Sequence, residues 1–261
     1  MKKTDNISHV RGSDSYVEAF GKGLAVLRAF EGEENGLTLS DVADRVGIPP
    51  AGARRLLLTL VTLGYARLEG RLFYLNPLVL RLGFAYLSSM PLEELVQPLI
   101  DQFSERYTES CTLSVLDQHD IVYVARAKVH SPLLRRLVVG DRLPAHATST
   151  GIVLLGALDE KELTNWLTHA SPFSRYTSFT LTDTELLQDA IRRSAEQGWA
   201  IAREHLELGV CGFAVPVYDK QQRIRSALTM SINLARYDQD EIIARFLEPL
   251  KDLATQISVI Y

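Results

Sequence analysis

Cysteine is scarce in this 261-residue chain: Cys111 and Cys211 are the only two, and neither CxxC nor HxxxH spacing occurs. A disulfide scaffold is thereby excluded, and no pattern suggests a metal or other cofactor. Long apolar runs are also missing. GIVLLGAL, at 151–158, is among the longest, far short of the roughly 18–20 residues a membrane span needs. The first residues, MKKTDNISHVRGSDS, carry lysines with no hydrophobic stretch behind them, so they are not a signal peptide. Residues 1–14 read instead as a disordered tail, and the chain as cytoplasmic with no membrane partner. Repeats and low-complexity segments are absent too. What remains is 46% apolar and 23% charged, enough for a real core in one large or two ordinary domains.

An excess of positive charge is likewise missing, since the net charge is −4. The balance is uneven along the chain, however. Residues 1–76 hold ten Lys/Arg against nine Asp/Glu, and the remainder 18 against 23. Between 45 and 71 five arginines (Arg45, Arg54, Arg55, Arg67, Arg71) face one acid, Glu69. Positive charge is therefore concentrated in one short segment.

That segment overlaps LTLSDVADRVGIPPAGARRLLLTLVTLG, residues 37–64. Leu39, Val42, Ala43 and Val46 have helical spacing, with Ser40 as the expected N-cap and Gly47 as a left-handed stop. Pro49-Pro50 suits the mouth of a second helix, whose first turn has no use for the missing amides. Ala53, Leu56, Leu57 and Leu60 fall on its inner side. Ala51, Arg55, Leu58 and Thr62 point away, and Arg54 lies on the flank. Two short helices about a tight turn, the second with a basic outer face, predict a helix-turn-helix. An ordinary αα-corner with solvated arginines is the simpler alternative. Two alternating segments around Gly70, Tyr65–Glu69 and Arg71–Leu75, follow directly and predict a β-hairpin. A basic hairpin behind such a helix is a wing, which the simpler alternative does not require. The expected DNA contacts are Ser40, Pro50, Ala51, Gly52, Arg54, Arg55, Thr59, Arg67 and Arg71.

Ahead of this, Tyr16–Phe30 reads as a helix with Val17, Phe20, Leu24 and Leu27 on its apolar side. Behind it, Leu78–Leu87 is apolar on most sides and is expected to be buried on more than one face, as a linker helix. The expected division is a winged helix-turn-helix domain at 15–76, a linker helix at 77–90 and a second domain at 91–261. In the second domain a helix is expected at Leu92–Tyr107, capped by Ser89 or Met90-Pro91. Strands are expected at Cys111–Leu116, Ile121–Ala127 and Leu133–Val139, followed by a loop at Gly140–Pro144. Helices then come at Thr148–Leu158 and Asp159–Thr168, and a capping box at Thr182 and Glu185 opens another that stops at Gly198. Strands at Trp199–Glu204, Cys211–Tyr218 and Arg225–Ile232 precede a last helix from Asp238, stepped at Pro249. The fold class is α+β.

A second candidate site lies in GDRLPAHATSTGIVLLGAL, residues 140–158. Thr148, Ser149 and Thr150, with Gly151, stand at a helix start, where amides and hydroxyls make a cradle for an anion. Capping alone would account for one of them. A nucleophile built from Ser149 and His146 lacks the GxSxG elbow and a carboxylate partner. Neither cysteine sits in a catalytic motif. The chain is read as a non-enzyme.

With these segments in hand, the chain resembles the IclR family of bacterial transcriptional regulators over about residues 15–258. The resemblance is carried by SYVEAFGKGLAVLRAF, by residues 37–66, by residues 140–158 and by REHLELGVCGFAVPVYDKQQRIRSALTMSI. ESCTLSVLDQHDIVYVARAK and VLRLGFAYLSS are similar to the subgroup governing aromatic-acid catabolism through the β-ketoadipate route. The resemblance implies a winged helix-turn-helix domain, a C-terminal effector domain with a GAF-like sheet, and homodimers or homotetramers on a partly palindromic operator. It implies an organic acid effector, aromatic or dicarboxylic, bound at Ser149 and Thr150, around Gly212 and at Thr229 and Ser231, with RNA polymerase a further candidate partner. Gly212 stands where the family often has cysteine, with Cys211 one place earlier, and the family's GKA(L/V)L lysine is absent after the loop. Candidate countercharges for the acid are Arg135, Arg136, Arg203 and His146. A sensor acting through protein contacts, or an enzyme with an appended winged domain, is the alternative.

Overall fold

A computed structural model describes residues 16–33, 35–87, 95–127 and 137–260. The chain divides into two compact units between Tyr86 and Leu87.

The first unit runs α1 (Glu18–Arg28), β1 (Leu37–Thr38), α2 (Leu39–Val46), α3 (Pro50–Thr62), β2 (Ala66–Glu69) and β3 (Leu72–Leu75). After a 3₁₀ turn at Pro77–Val79 comes α4 (Leu80–Leu87). Ala53, Leu57 and Leu60, spaced by four and three, bury one stripe of α3 against Val42 and Ala43 of α2, Val26 of α1 and Phe30 just after it. Gly47, at φ 69°, ends α2 in the left-handed conformation the turn demands, and the amide of Ile48 reaches back to the Ala43 carbonyl.

Three features depart from the sequence reading. Leu37 and Thr38 form a short strand against Phe73 and Leu72, giving a three-stranded sheet in the order β1-β3-β2. Because that strand ends at Thr38, α2 starts two residues earlier and Thr38, not Ser40, is its cap. The Thr38 hydroxyl accepts from the Asp41 amide (3.2 Å), and the Asp41 carboxylate accepts from the Thr38 amide (2.9 Å). In α1, Val17, Phe20 and Leu24 are exposed, because the unit's core takes the other side of the helix through Val26 and Phe30. In α4, Leu80 and Leu82 are exposed as well, where burial was expected.

The second unit contains α5 (Gln97–Tyr107), β4 (Ser110–Asp117), β5 (Asp120–Arg126), β6 (Arg142–Pro144), α6 (Ser149–Leu155), α7 (Glu160–Ala170), α8 (Thr184–Gln197), β7 (Ala200–Arg203), β8 (Val210–Tyr218), β9 (Ile224–Asn233) and α9 (Gln239–Ile260). Its sheet is antiparallel in the order β6-β5-β4-β9-β8-β7. Two three-stranded meanders are thus joined by the central β4–β9 pair, with α6, α7 and α8 in the connection between them. One sheet face packs Cys111, Leu113, Phe213, Leu228 and Met230 against α5 and α9. The other packs Ile121, Ala200, Ala214 and Ala227 beneath α6, α7 and α8. Within the second unit the α+β class holds.

Here too the structure corrects details. Of the strand expected at Leu133–Val139, residues 133–136 lie outside the described residues, and Leu137–Gly140 leads into a turn. The edge strand is instead Arg142–Pro144, in the stretch read as a loop. It is fastened by the Arg142 guanidinium to the carboxylates of Asp117 (2.6 Å) and Asp120 (3.1 Å). The cap of α8 is Asp183, whose carboxylate accepts from the amides of Glu185 and Leu186. A carboxylate at 183 takes the role given to Thr182. The caps proposed at 89–91 fall outside the described residues. α9 continues through Pro249.

Candidate functional site

In the first unit, burying Ala53, Leu57 and Leu60 turns Ala51, Arg54, Arg55 and Thr59 outward. Pro50 and Ser40 are exposed and Gly52 is half-buried. The Thr59 hydroxyl is spent on the Arg55 carbonyl (2.8 Å). The five arginines between 45 and 71 are not equivalent. Arg45 pairs with Glu33 and donates to the Ala29 carbonyl. Arg67 is held inside the hairpin by Glu69 (2.7 Å) and the Leu75 carbonyl, its guanidinium lying over the Tyr74 ring. Among the described residues, Arg54, Arg55 and Arg71 make no ion pair, and all three are exposed. Arg71 follows Gly70, whose φ of 63° makes the hairpin turn. The outer face of α3 and the hairpin tip are therefore the cationic features free to meet phosphate and base edges.

In the second unit the two-residue period of the strands builds a polar floor. β4 turns Ser110, Thr112 and Ser114 to the face away from Cys111 and Leu113. Strand register then aligns Thr112 with Arg126 on one side and Thr229 on the other, Ser231 with both Ser110 and Gly212, and Gly212 with Ala202. The start of α6 lies over this row. Between them is a cavity of about 720 Å³, counting its open mouth.

The three adjacent hydroxyls at the helix start have different fates. Thr148 caps α6, accepting from the Gly151 amide (3.1 Å). Thr150 shares a 2.6 Å hydrogen bond with the Thr229 hydroxyl, tying α6 to β9. Ser149 Oγ is buried with no partner among the described residues, and so is Thr112 Oγ1 on the floor. Buried hydroxyls without partners are costly, and both of these line the cavity.

Thr148, Ser149, Thr150, Gly212, Thr229 and Ser231, all nominated from sequence, line it. Gly151 does not. A Cβ there would stand 2.0 Å from the Ala145 carbonyl oxygen, so this glycine admits the 3₁₀ turn Ala145–Ala147 against α6. His146 is packed elsewhere, 5.0 Å from the Phe173 ring, with Nε2 3.0 Å from the Ser174 carbonyl. Burial lowers its pKa, favouring the neutral ring. Arg203 is exposed, and strand alternation sends it to the face opposite Ala202. Arg135 and Arg136 lie outside the described residues. Cys211 points into the α5/α9 layer, where burial pushes its thiol up to about 12, so it does not stand in for a cysteine at 212.

Sequence reasoning missed Ser110, Thr112, Tyr123, Arg126, Leu206 and Glu207, which are also part of the lining. The alternating hydroxyls of SCTLSV were the available signal, but alternation alone reads as a solvent-facing strand. Tyr123 is buried, which raises its phenol to about 12. Among the described residues no cluster of His, Cys, Asp and Glu could hold a metal ion, and no helix is long and apolar enough to cross a membrane.

A helix-turn-helix with a basic wing, followed by a domain enclosing a small-molecule cavity, defines a ligand-responsive DNA-binding regulator. The chain belongs to the IclR family of bacterial transcriptional regulators: residues 19–70 match the IclR helix-turn-helix domain and residues 84–259 the bacterial transcriptional regulator IclR C-terminal domain. It is 39% identical to the Pca regulon regulatory protein of Pseudomonas putida over 251 residues, 94% of this chain and 86% of that protein. It is 32% identical to the p-hydroxybenzoate hydroxylase transcriptional activator of Acinetobacter baylyi over 250 residues, 94% of this chain and 92% of that one. A solved Acinetobacter structure, a double mutant of the PobR inducer-binding domain in complex with 3-hydroxybenzoic acid, matches with a TM-score of 0.58 at 30% identity. That match covers 64% of this chain and 97% of the other.

Proposed function

We propose that this protein controls catabolic genes in response to a small organic acid of the aromatic class, bound in the cavity beneath α6. The observation that carries the reading is the pair of buried hydroxyls, Ser149 and Thr112, without partners among the described residues and on facing walls of one cavity. Ser149, Thr150, Gly212, Thr229 and Ser231 form the effector site, with Thr148 holding the helix start. The aromatic class is supported by what two relatives are called: an activator for p-hydroxybenzoate hydroxylase, and an inducer-binding domain crystallised with 3-hydroxybenzoic acid.

On the DNA side, Ala51, Arg54 and Arg55 enter the major groove, Arg55 at a guanine edge and Arg71 on a phosphate. Residues 15–76 form the DNA-binding domain, 77–90 the linker helix and 91–261 the effector domain. The protein works in the cytoplasm as a homodimer or homotetramer on a partly palindromic operator, without enzymatic activity of its own, and RNA polymerase is a candidate contact. The acid alters transcription by favouring one arrangement of the DNA-binding domains over another.

A thermal-shift screen of hydroxybenzoates and dicarboxylates, paired with gel shifts on the DNA upstream of its own gene, tests this. A binder should raise the melting temperature and alter the gel shift. Stabilisation by none of them, or no retention of that DNA, would refute the reading.

A further inference from the structure

Arg126 is the one cation that lines the cavity among the described residues. It ends β5, directly across from Thr112 in the β4 register, so both side chains stand on the cavity face of neighbouring strands. Arg126 is half-buried, and no carboxylate pairs with it among the described residues. The Thr112 hydroxyl beside it is 97% buried and has no partner among the described residues. The other charged residue along the lining is Glu207, which enters from the loop after β7. β5 and β7 are separated by three strands, β4, β9 and β8. At a strand spacing of about 4.8 Å, β5 and β7 themselves lie four spacings apart across the sheet. An acid in this cavity thus meets one guanidinium, at the end of β5, and one carboxylate, from the loop after β7.

We infer that Arg126, with the Thr112 hydroxyl, is the carboxylate anchor of the cavity and fixes the direction in which the acid lies. The four countercharges nominated from sequence leave this role open. Arg203 faces the other layer, His146 is packed against Phe173 where burial favours its neutral ring, and Arg135 and Arg136 are outside the described residues. A guanidinium brings fixed paired donors to a carboxylate, and a hydroxyl on the neighbouring strand supplies a third. The inference rests on the proposed reading that the cavity holds an organic acid.

The test compares acids with their uncharged amides by calorimetry on the full-length protein: 4-hydroxybenzoate, 3-hydroxybenzoate, protocatechuate and adipate. The native protein should prefer the best-bound acid over its amide by about tenfold or more, as expected for a charge-assisted hydrogen bond. Arg126→Met should bring that ratio to near one, and Arg126→Lys should restore part of it. Gly212→Leu, which fills the cavity, should lose acid and amide alike. Operator binding and the melting curve of each variant report on folding, and Arg126→Gln replaces the methionine variant if that one does not fold. An acid preference that survives in Arg126→Met or Arg126→Gln overturns the inference alone. Loss of acid and amide together in a folded Arg126 variant also overturns it, since the residue would then shape the cavity rather than read charge. Failure of every acid to bind, or full binding by Gly212→Leu, overturns the cavity reading itself.

Discussion

Ser149 and Gly212 face each other so closely that a first side-chain carbon on Gly212 would stand 2.7 Å from the Ser149 hydroxyl. The glycine is there for space, since its backbone is not in the left-handed region. Any larger residue at 212 must push that hydroxyl off the cavity wall. Gly212→Val is expected to weaken effector binding by about tenfold or more, the scale of one buried hydrogen bond plus steric displacement. Operator affinity without effector should stay unchanged. Effector-induced shifts in melting temperature and gel-shift titrations measure the two sides, and an undiminished shift would remove Ser149 from the site.

Arg55 and Arg67 differ in how free they are. Arg55→Ala is expected to cost about 1–3 kcal/mol on the operator and to relax base preference at one position of each half-site. Arg67→Ala should cost less and do so evenly across sequences, because Arg67 is already engaged by Glu69 and the Leu75 carbonyl. Fluorescence anisotropy against a panel of single-base operator variants separates the two patterns.

The cap of α2 gives a stability test in which sequence and structure disagree. Thr38→Ala removes one arm of the reciprocal hydrogen bonds with Asp41 and is expected to destabilise the first unit by about 1 kcal/mol. Ser40→Ala, at an exposed first-turn position, should be nearly neutral. Urea denaturation of the two variants compares them directly.

His146 and His205 give the second unit a pH dependence. Burial lowers the pKa of both, and in His205 the nearby His146 adds to it. A lowered folded-state value means the unfolded chain binds more protons once pH drops below about 6.5. Stability is therefore expected to hold above that pH and to fall as acid is added down through the depressed values. Melting curves from neutral to mildly acidic pH should show this, with a shallower decline in the His146→Asn/His205→Asn double variant.

The helix-turn-helix was legible because its signals are local: apolar spacing at 53, 57 and 60, a glycine stop at 47 and prolines at a helix mouth. β1 escaped because two residues carry no period, and their partners Phe73 and Leu72 lie more than thirty positions away. The miss at Ser40 followed from it. In the second unit the helix-start hydroxyls were legible as a group, but not their separate fates. Which of Thr148, Ser149 and Thr150 stays unpartnered depends on Thr229, far along the chain. Arg126 was hidden for the same reason, since only the β4–β5 register sets it beside Thr112 on a buried face. Leu80, Leu82, Phe20 and Leu24 had the opposite fate. Their apolar character predicted burial, and within this chain they are exposed.

The internal pairing of Arg45 and Arg67 also limits how strongly salt should govern DNA binding. Displacing condensed cations from a duplex contributes a slope of about −0.9 in log affinity against log salt for each phosphate neutralised. With Arg45 and Arg67 already neutralised by Glu33 and Glu69, Arg54, Arg55 and Arg71 are left. Residues 45–71 of one chain are then expected to add a slope nearer about −3 than the roughly −4.5 that five unpaired arginines would give. A head wired in this way releases fewer ions per binding event. It relies more on base edges for its hold, and so discriminates better among sites as ionic strength rises.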